Sequence, residues 1–156
     1  MKTLILGIGN PILGDDGIGF RVAQELPERF KKGNRDIDVK DANTNVLNLL
    51  DIIVGYDKVI IIDAIKTENG APGEIYKLRP EDFTNTVHLA TSPHDTNLAT
   101  AIEIGKELLA EQMPKEIVIF AIEIEPVLKF TEEMTERVKE IIPKVVNLVL
   151  DEIGST

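Results

Sequence analysis

Three side chains in this 156-residue chain could act together on a metal or on a proton: Asp16, Asp63 and His94. Two carboxylates and an imidazole make a donor set suited to a divalent transition ion such as nickel or zinc, with positions left open for other ligands. Either carboxylate could also serve as a general base toward water. Each of the three sits in a stretch whose local pattern says why it would be displayed.

Asp16 belongs to "LGIGNPILGDDGIGF", a glycine-rich loop behind a short apolar run. Loops of this kind usually hold phosphate, yet Ile12 occupies the third position of a Gly-x-Gly-x-x-Gly fingerprint, and no Gly-Lys-Ser/Thr follows. Asp15 and Asp16 put two negative charges where helix amides would meet a pyrophosphate. Asp15 is read as the cap of the following helix, favourable at its positive end. Asp16 is surplus to that cap. Its side chain is expected to point toward the carboxyl edge of the sheet, although chance surface acidity accounts for a second aspartate about as readily.

Asp63 ends the core run of "KVIIIDAI" at the carboxyl end of a strand. A carboxylate there is costly unless something pairs with it. It either holds a loop through backbone amides or faces the ligand crevice that open α/β sheets form outside the carboxyl ends of their strands. In "TSPHDTNLA", Ser92 is an N-cap, Pro93 suits the first helical position and Asp95 completes a capping box, which puts His94 in the first turn. A helix N-terminus disfavours imidazolium, so a neutral ring able to bind metal is expected there. The other histidine, His88, lacks this context and reads as a loop residue. Ser92, His94 and Asp95 do not make a serine triad, since capping already explains them and no Gly-x-Ser-x-Gly elbow exists. Asp-Thr-Gly segments of a pepsin-like dyad are absent too.

Strands alternating with helices must position these groups. "KTLILGIG" reads as a strand, and Ile18, Val22, Leu26 and Phe30 recur at four-residue steps as in an amphipathic helix that Pro27 kinks or tightens late. "DIDVKDAN" is a strand, "NVLNLLDIIVG" a helix closed by Gly55, and "KVIIIDAI" a strand buried on both faces. A short peripheral strand from Glu74 to Arg79, a helix from "SPHDTNLATAIEIGKELLAEQ", the strand "EIVIFAIEIE" and a closing helix over "TEEMTERVKEIIPKVVNLVLDEI" complete the pattern. The expectation is one domain over residues 1–156, a three-layer α/β/α sandwich around a mainly parallel, mixed sheet of about five strands with helices on both faces.

Composition narrows the function. The formal net charge of −10 and an aromatic set of five Phe and two Tyr argue against a nucleic-acid partner. No cysteine is present, which removes disulfides, a thiol nucleophile and cysteine-ligated metal. No apolar run approaches the roughly 18 residues of a membrane span and no signal peptide is evident, so a cytoplasmic location and no membrane partner are expected.

The three motifs together, "GIGNPILGDDGIG", "IIDAI" and "SPHDTNLATAIEIG", resemble those of the hydrogenase maturation proteases in order and spacing over nearly the whole chain. That family trims the C-terminal extension from the large subunit of nickel–iron hydrogenases and has a phosphorylase/hydrolase-like sandwich. The resemblance implies that Asp16, Asp63 and His94 are the metal-binding and catalytic residues, that nickel is supplied by the substrate, and that no organic cofactor is used. The partner it implies is the large-subunit precursor. "DANTNV" lacks the paired glycines that many members carry after the second strand. The metal could polarise the scissile carbonyl or a water, or Asp16 or Asp63 could act as an aspartyl-protease-type base. Two other functions fit less of the pattern. One is a non-enzymatic nickel-binding maturation chaperone. The other is a peptidyl-tRNA hydrolase-like enzyme, whose Thr-Arg-His-Asn stretch is replaced here by "GDDGIGF".

Overall fold

Three stretches are so uniformly apolar that they can exist only with both faces covered: Thr3–Ile8 (β1), Lys58–Ile65 (β3) and Glu116–Glu123 (β5). The computed structural model, which describes residues 1–27, 30, 36–42, 46–85, 93–126 and 129–154, places them side by side and parallel at the centre of a sheet. Ile37–Ala42 (β2), which carries charge on alternate positions, forms one edge parallel to β1. The short Ile75–Leu78 (β4) forms the other edge, antiparallel to β5. Among the described residues the order is β2-β1-β3-β5-β4, the expected mixed, mainly parallel sheet.

Helices cover both faces. Ile18–Glu25 (α1) and Glu136–Gly154 (α5) bury Ile18, Val22, Val138 and Val145 against Ile60, Ile62 and Phe120. On the opposite face, Val46–Ile53 (α2) and Pro93–Leu108 (α4) bury Leu49, Ile53, Leu98 and Ile102 against Leu6, Ile61 and Ile119. The six-residue Pro80–Asn85 (α3) precedes α4. No helix among the described residues is long and apolar enough to cross a membrane.

Two boundaries differ from the sequence pattern. Pro27 stops α1 instead of kinking it: the helix ends at Glu25, and Leu26 is extended at φ −66° and ψ 148°, as the residue before a proline must be to avoid its ring. Leu26 and Phe30 are nonetheless buried in the same core as Val22. The closing helix begins at Glu136, because the residues before it pair with the glycine loop. Gly55 ends α2 as expected, with φ +89°. The loop assigned to His88 and the cap assigned to Ser92 lie outside the described residues.

At the amino edge, Lys58 begins β3 only 1% exposed. Its Nζ lies 2.7 Å from Glu152 Oε2 in the last turns of α5, while Lys77 of β4 reaches Glu152 Oε1 at 2.6 Å. Burial pushes the Glu152 carboxyl up, but its hydrogen bonds to the two ammonium groups outweigh this and hold it below the ordinary value. The pair fastens the closing helix to the sheet at the edge opposite the crevice.

Candidate active site

The chain leaves β1 for β2 on one side and returns to β3 on the other, so β1 and β3 flank the point where strand order reverses. Outside the carboxyl ends of that pair an open α/β sheet leaves a crevice. Both predicted aspartates lie at that edge of the sheet. Asp63 lies near the end of β3, flanked by Ile61 and Ile65, whose side chains join the α2 and α4 side of the core. By alternation its carboxylate is on that face. It is 1% exposed, and Oδ1 accepts the Ala64 amide at 2.8 Å. Its neighbour across the sheet is the small Ala121.

Asp16 is held in a single 3₁₀ turn, Gly14–Gly17, between β1 and α1. Its Oδ2 accepts the Asn10 amide at 3.0 Å, and Asn10 Oδ1 in turn accepts the Ile12 amide at 3.1 Å. The loop therefore closes on Asp16 from within. Two glycines make the closure possible. Gly9, at φ +148°, lies so near the Asp16 carbonyl that a Cβ there would fall 2.1 Å from its oxygen. A Cβ on Gly19 would fall 2.4 Å from the carbonyl oxygens of both Ile8 and Ile62. The start of α1 thus lies directly on the ends of β1 and β3, at the peptide that leads into Asp63. Gly19→Ala should destabilise the protein by about 2 kcal/mol, because backbone oxygens cannot turn aside as a side chain could. A urea titration checks it, and an unchanged midpoint would mean that this contact is not tight.

Asp15 does not cap α1: Gly17 is the boundary residue there, and no side chain bonds the first turn. Instead Asp15, 3% exposed, reaches the start of α5 and accepts the Thr135 amide and the Thr135 hydroxyl, both at 2.8 Å. It satisfies backbone at a helix start after all, but of a helix 120 residues away in sequence. Gly14 donates to the Thr131 carbonyl, Thr131 to the Ile12 carbonyl, and Arg21 Nη2 to the Glu132 carbonyl. Residues 131–135 therefore clamp the loop that carries Asp16.

His94 lies in the first turn of α4, four residues before buried Leu98. Its side chain is outside what the structure describes. The backbone is located by the helix's far end: beyond it, the Lys115 amide bonds the Asp57 carbonyl beside the first residue of β3. Since α4 finishes toward the amino edge, its sixteen residues carry its start about 24 Å back, toward the carboxyl edge where Asp63 lies.

A third buried acid at this edge escaped the sequence reading. Glu123, at the end of β5 and in register with Ile65, is fully buried. Oε2 accepts the Thr67 amide at 2.7 Å, and Oε1 accepts the Thr67 hydroxyl at 2.5 Å and the Tyr76 hydroxyl at 3.2 Å. Burial pushes the Tyr76 phenol up, and its hydrogen bond to Glu74 adds to this. The signal was present: "EIVIFAIE" delivers a carboxylate after an apolar run just as "KVIIID" does. Glu123 pins the loop that follows β3.

Comparison with known proteins decides what kind of molecule carries this crevice. Residues 20–152 match the family model HycI, hydrogenase maturation protease. The chain belongs to the hydrogenase maturation protease family. Hydrogenase 2 maturation protease of Escherichia coli K12 is 31% identical over 126 residues, covering 78% of this chain and 73% of that one. Protein FrxA of Pyrococcus furiosus is 28% identical across 88% of this chain and 95% of its own. The solved structure of the E. coli hydrogenase maturating endopeptidase HybD superposes with a TM-score of 0.80 at 27% identity, covering 99% and 93% of the two chains. This protease is thus a hydrolase with the sandwich of its relatives, and its sheet edge is where its chemistry must be sought.

Proposed function

We propose that this protease removes the C-terminal extension of a nickel–iron hydrogenase large-subunit precursor once nickel has been inserted, and that Asp16, Asp63 and His94 recognise the substrate's metal. The observation that supports the reading is that the turn bearing Asp16 and the strand end bearing Asp63 lie at the same edge of the sheet: Gly19, two residues past that turn, packs on the peptide that leads into Asp63. In support, two carboxylates and one imidazole leave positions on a transition ion open to ligands from the substrate. They suit an ion that arrives already held by its substrate. A chain without cysteine leaves the thiolate ligands to the precursor.

Within the crevice the chain's own parts divide the work. Asp63 is fixed by burial and by the Ala64 amide, so its oxygens meet an incoming ligand without reorganisation. Asp16 is half-buried on a braced turn, more accessible than Asp63, and is the group that substrate and water reach first. When bound, the ion supplies a Lewis acid beside the scissile peptide. A carboxylate that is not engaged by the ion takes the proton of the attacking water, and the C-terminal fragment leaves as an amine after protonation. The location expected for such a reaction is the cytoplasm, where the precursor would be assembled.

Nickel dependence tests the reading. Precursor loaded with nickel should be shortened, whereas the same precursor without metal should stay intact. Equal cleavage of both forms would remove nickel from recognition. Tight nickel binding by the free protein, with no cleavage of the loaded precursor, would favour a metal chaperone.

A further inference from the structure

Two large apolar side chains are exposed on the loops that frame Asp16. Ile12 is 42% exposed in the glycine loop and Phe130 is 79% exposed in the segment that clamps it. Their backbones are adjacent, since Thr131, the residue after Phe130, donates to the Ile12 carbonyl at 2.7 Å and bridges Leu13. Four residues past Phe130, Met134 is buried in the core, and Asp15 fastens Thr135 beside it. Phe130 and Ile12 are therefore held outward on an anchored frame. Exposed single apolar residues are ordinary, but a pair brought together by cross-loop hydrogen bonds beside a reactive carboxylate is placed where a partner must land.

We propose that Ile12 and Phe130 form an apolar docking patch for the folded body of the metal-loaded precursor. This rests on the function proposed above. The patch is continuous with the crevice: the Ile12 amide bonds Asn10 Oδ1, and the Asn10 amide bonds Asp16 Oδ2. Ile12 is thus held in the same short loop as Asp16, two hydrogen bonds away through Asn10. A second copy of this chain is a poorer occupant, because each copy carries a formal charge of −10 and the two would repel. A large protein substrate also needs contacts beyond its cleaved segment, and aromatic anchors are the side chains that supply most of the energy in such contacts. The patch contributes affinity that is equal before and during cleavage, so its loss is read in KM.

The test compares the wild-type protein with Phe130→Ala, Ile12→Ser and the double variant on nickel-loaded precursor. The double variant should raise KM by about tenfold or more while kcat stays within about twofold. Phe130→Leu should largely restore KM. Thermal unfolding should shift by no more than ~2 °C, since both side chains are exposed. If the wild type cleaves and the double variant keeps the wild-type KM, the patch is not a docking site and the function stands. A wild-type dimer in light scattering that the double variant converts to monomer would assign the patch to a second copy and overturn the proposal. Failure of the wild type to cleave overturns the function, and the docking proposal falls with it.

Discussion

Asp63→Asn should fold normally and process precursor more slowly by on the order of a thousandfold or more. The substitution is nearly isosteric, and the amide oxygen can still accept the Ala64 N–H that Oδ1 accepts now, so the β3 end is kept. What disappears is the negative charge at the buried end of the crevice. On the proposed function, the site then loses an anionic donor for the substrate's ion and one of its two candidate bases. Asp16→Asn makes the same chemical change on the exposed side while keeping an acceptor for the Asn10 amide. Initial rates on loaded precursor, with circular dichroism to verify folding, measure both. Full activity in either variant would remove that residue from the site. Asp16→Glu offers a milder contrast, since it keeps an oxygen donor and should retain part of the activity.

Glu152→Ala should cost about 3–5 kcal/mol of folding stability, the loss expected when one partner of a buried ion pair is deleted. Lys58, 1% exposed, would be left among the described residues with the more distant Glu116 at 3.7 Å as its carboxylate partner, and Lys77 would lose its anchor on α5. The same pair predicts a pH dependence. The folded carboxyl of Glu152 is depressed below its usual 4.5, so the folded state binds fewer protons there than the unfolded chain does. Its stabilisation is fully present above about pH 4.5–5 and is lost as pH falls through the depressed value. Urea midpoints measured from neutral pH downward should decline in the wild type below that window. Glu152→Ala should start lower and decline less. A variant as stable as the wild type at neutral pH would show that the pair does not hold α5 to the sheet.

The sheet was readable from sequence because its central strands are uniform apolar runs, and a strand buried on both faces leaves that mark. Asp63 was readable for the same reason, as a charge interrupting such a run. Glu123 interrupts the end of β5 in the same way, yet without a histidine or a glycine loop nearby it drew no notice. Asp15 could not be assigned correctly. Its partner Thr135 is a long-range contact, and local pattern offers an aspartate before a helix only the nearby cap. The end of α1 was missed by five residues, Phe30 against Glu25, because periodicity continues through Leu26 and Phe30 although the helix does not. Burial sets that periodicity, whereas Pro27 sets the backbone. The glycine-rich loop was legible as a loop, but Gly19 is needed for a reason no local pattern shows, the absence of a Cβ where α1 touches β1 and β3.

On the proposed function, this protease cuts a metal-loaded hydrogenase precursor near its C-terminus at the sheet edge where β1 and β3 end. The intact mass of nickel-loaded large-subunit precursor, before and after incubation with the wild-type protein, tests it most directly. The predicted result is loss of one C-terminal peptide of defined mass, absent with Asp63→Asn. An unchanged mass with a demonstrably loaded precursor would contradict it.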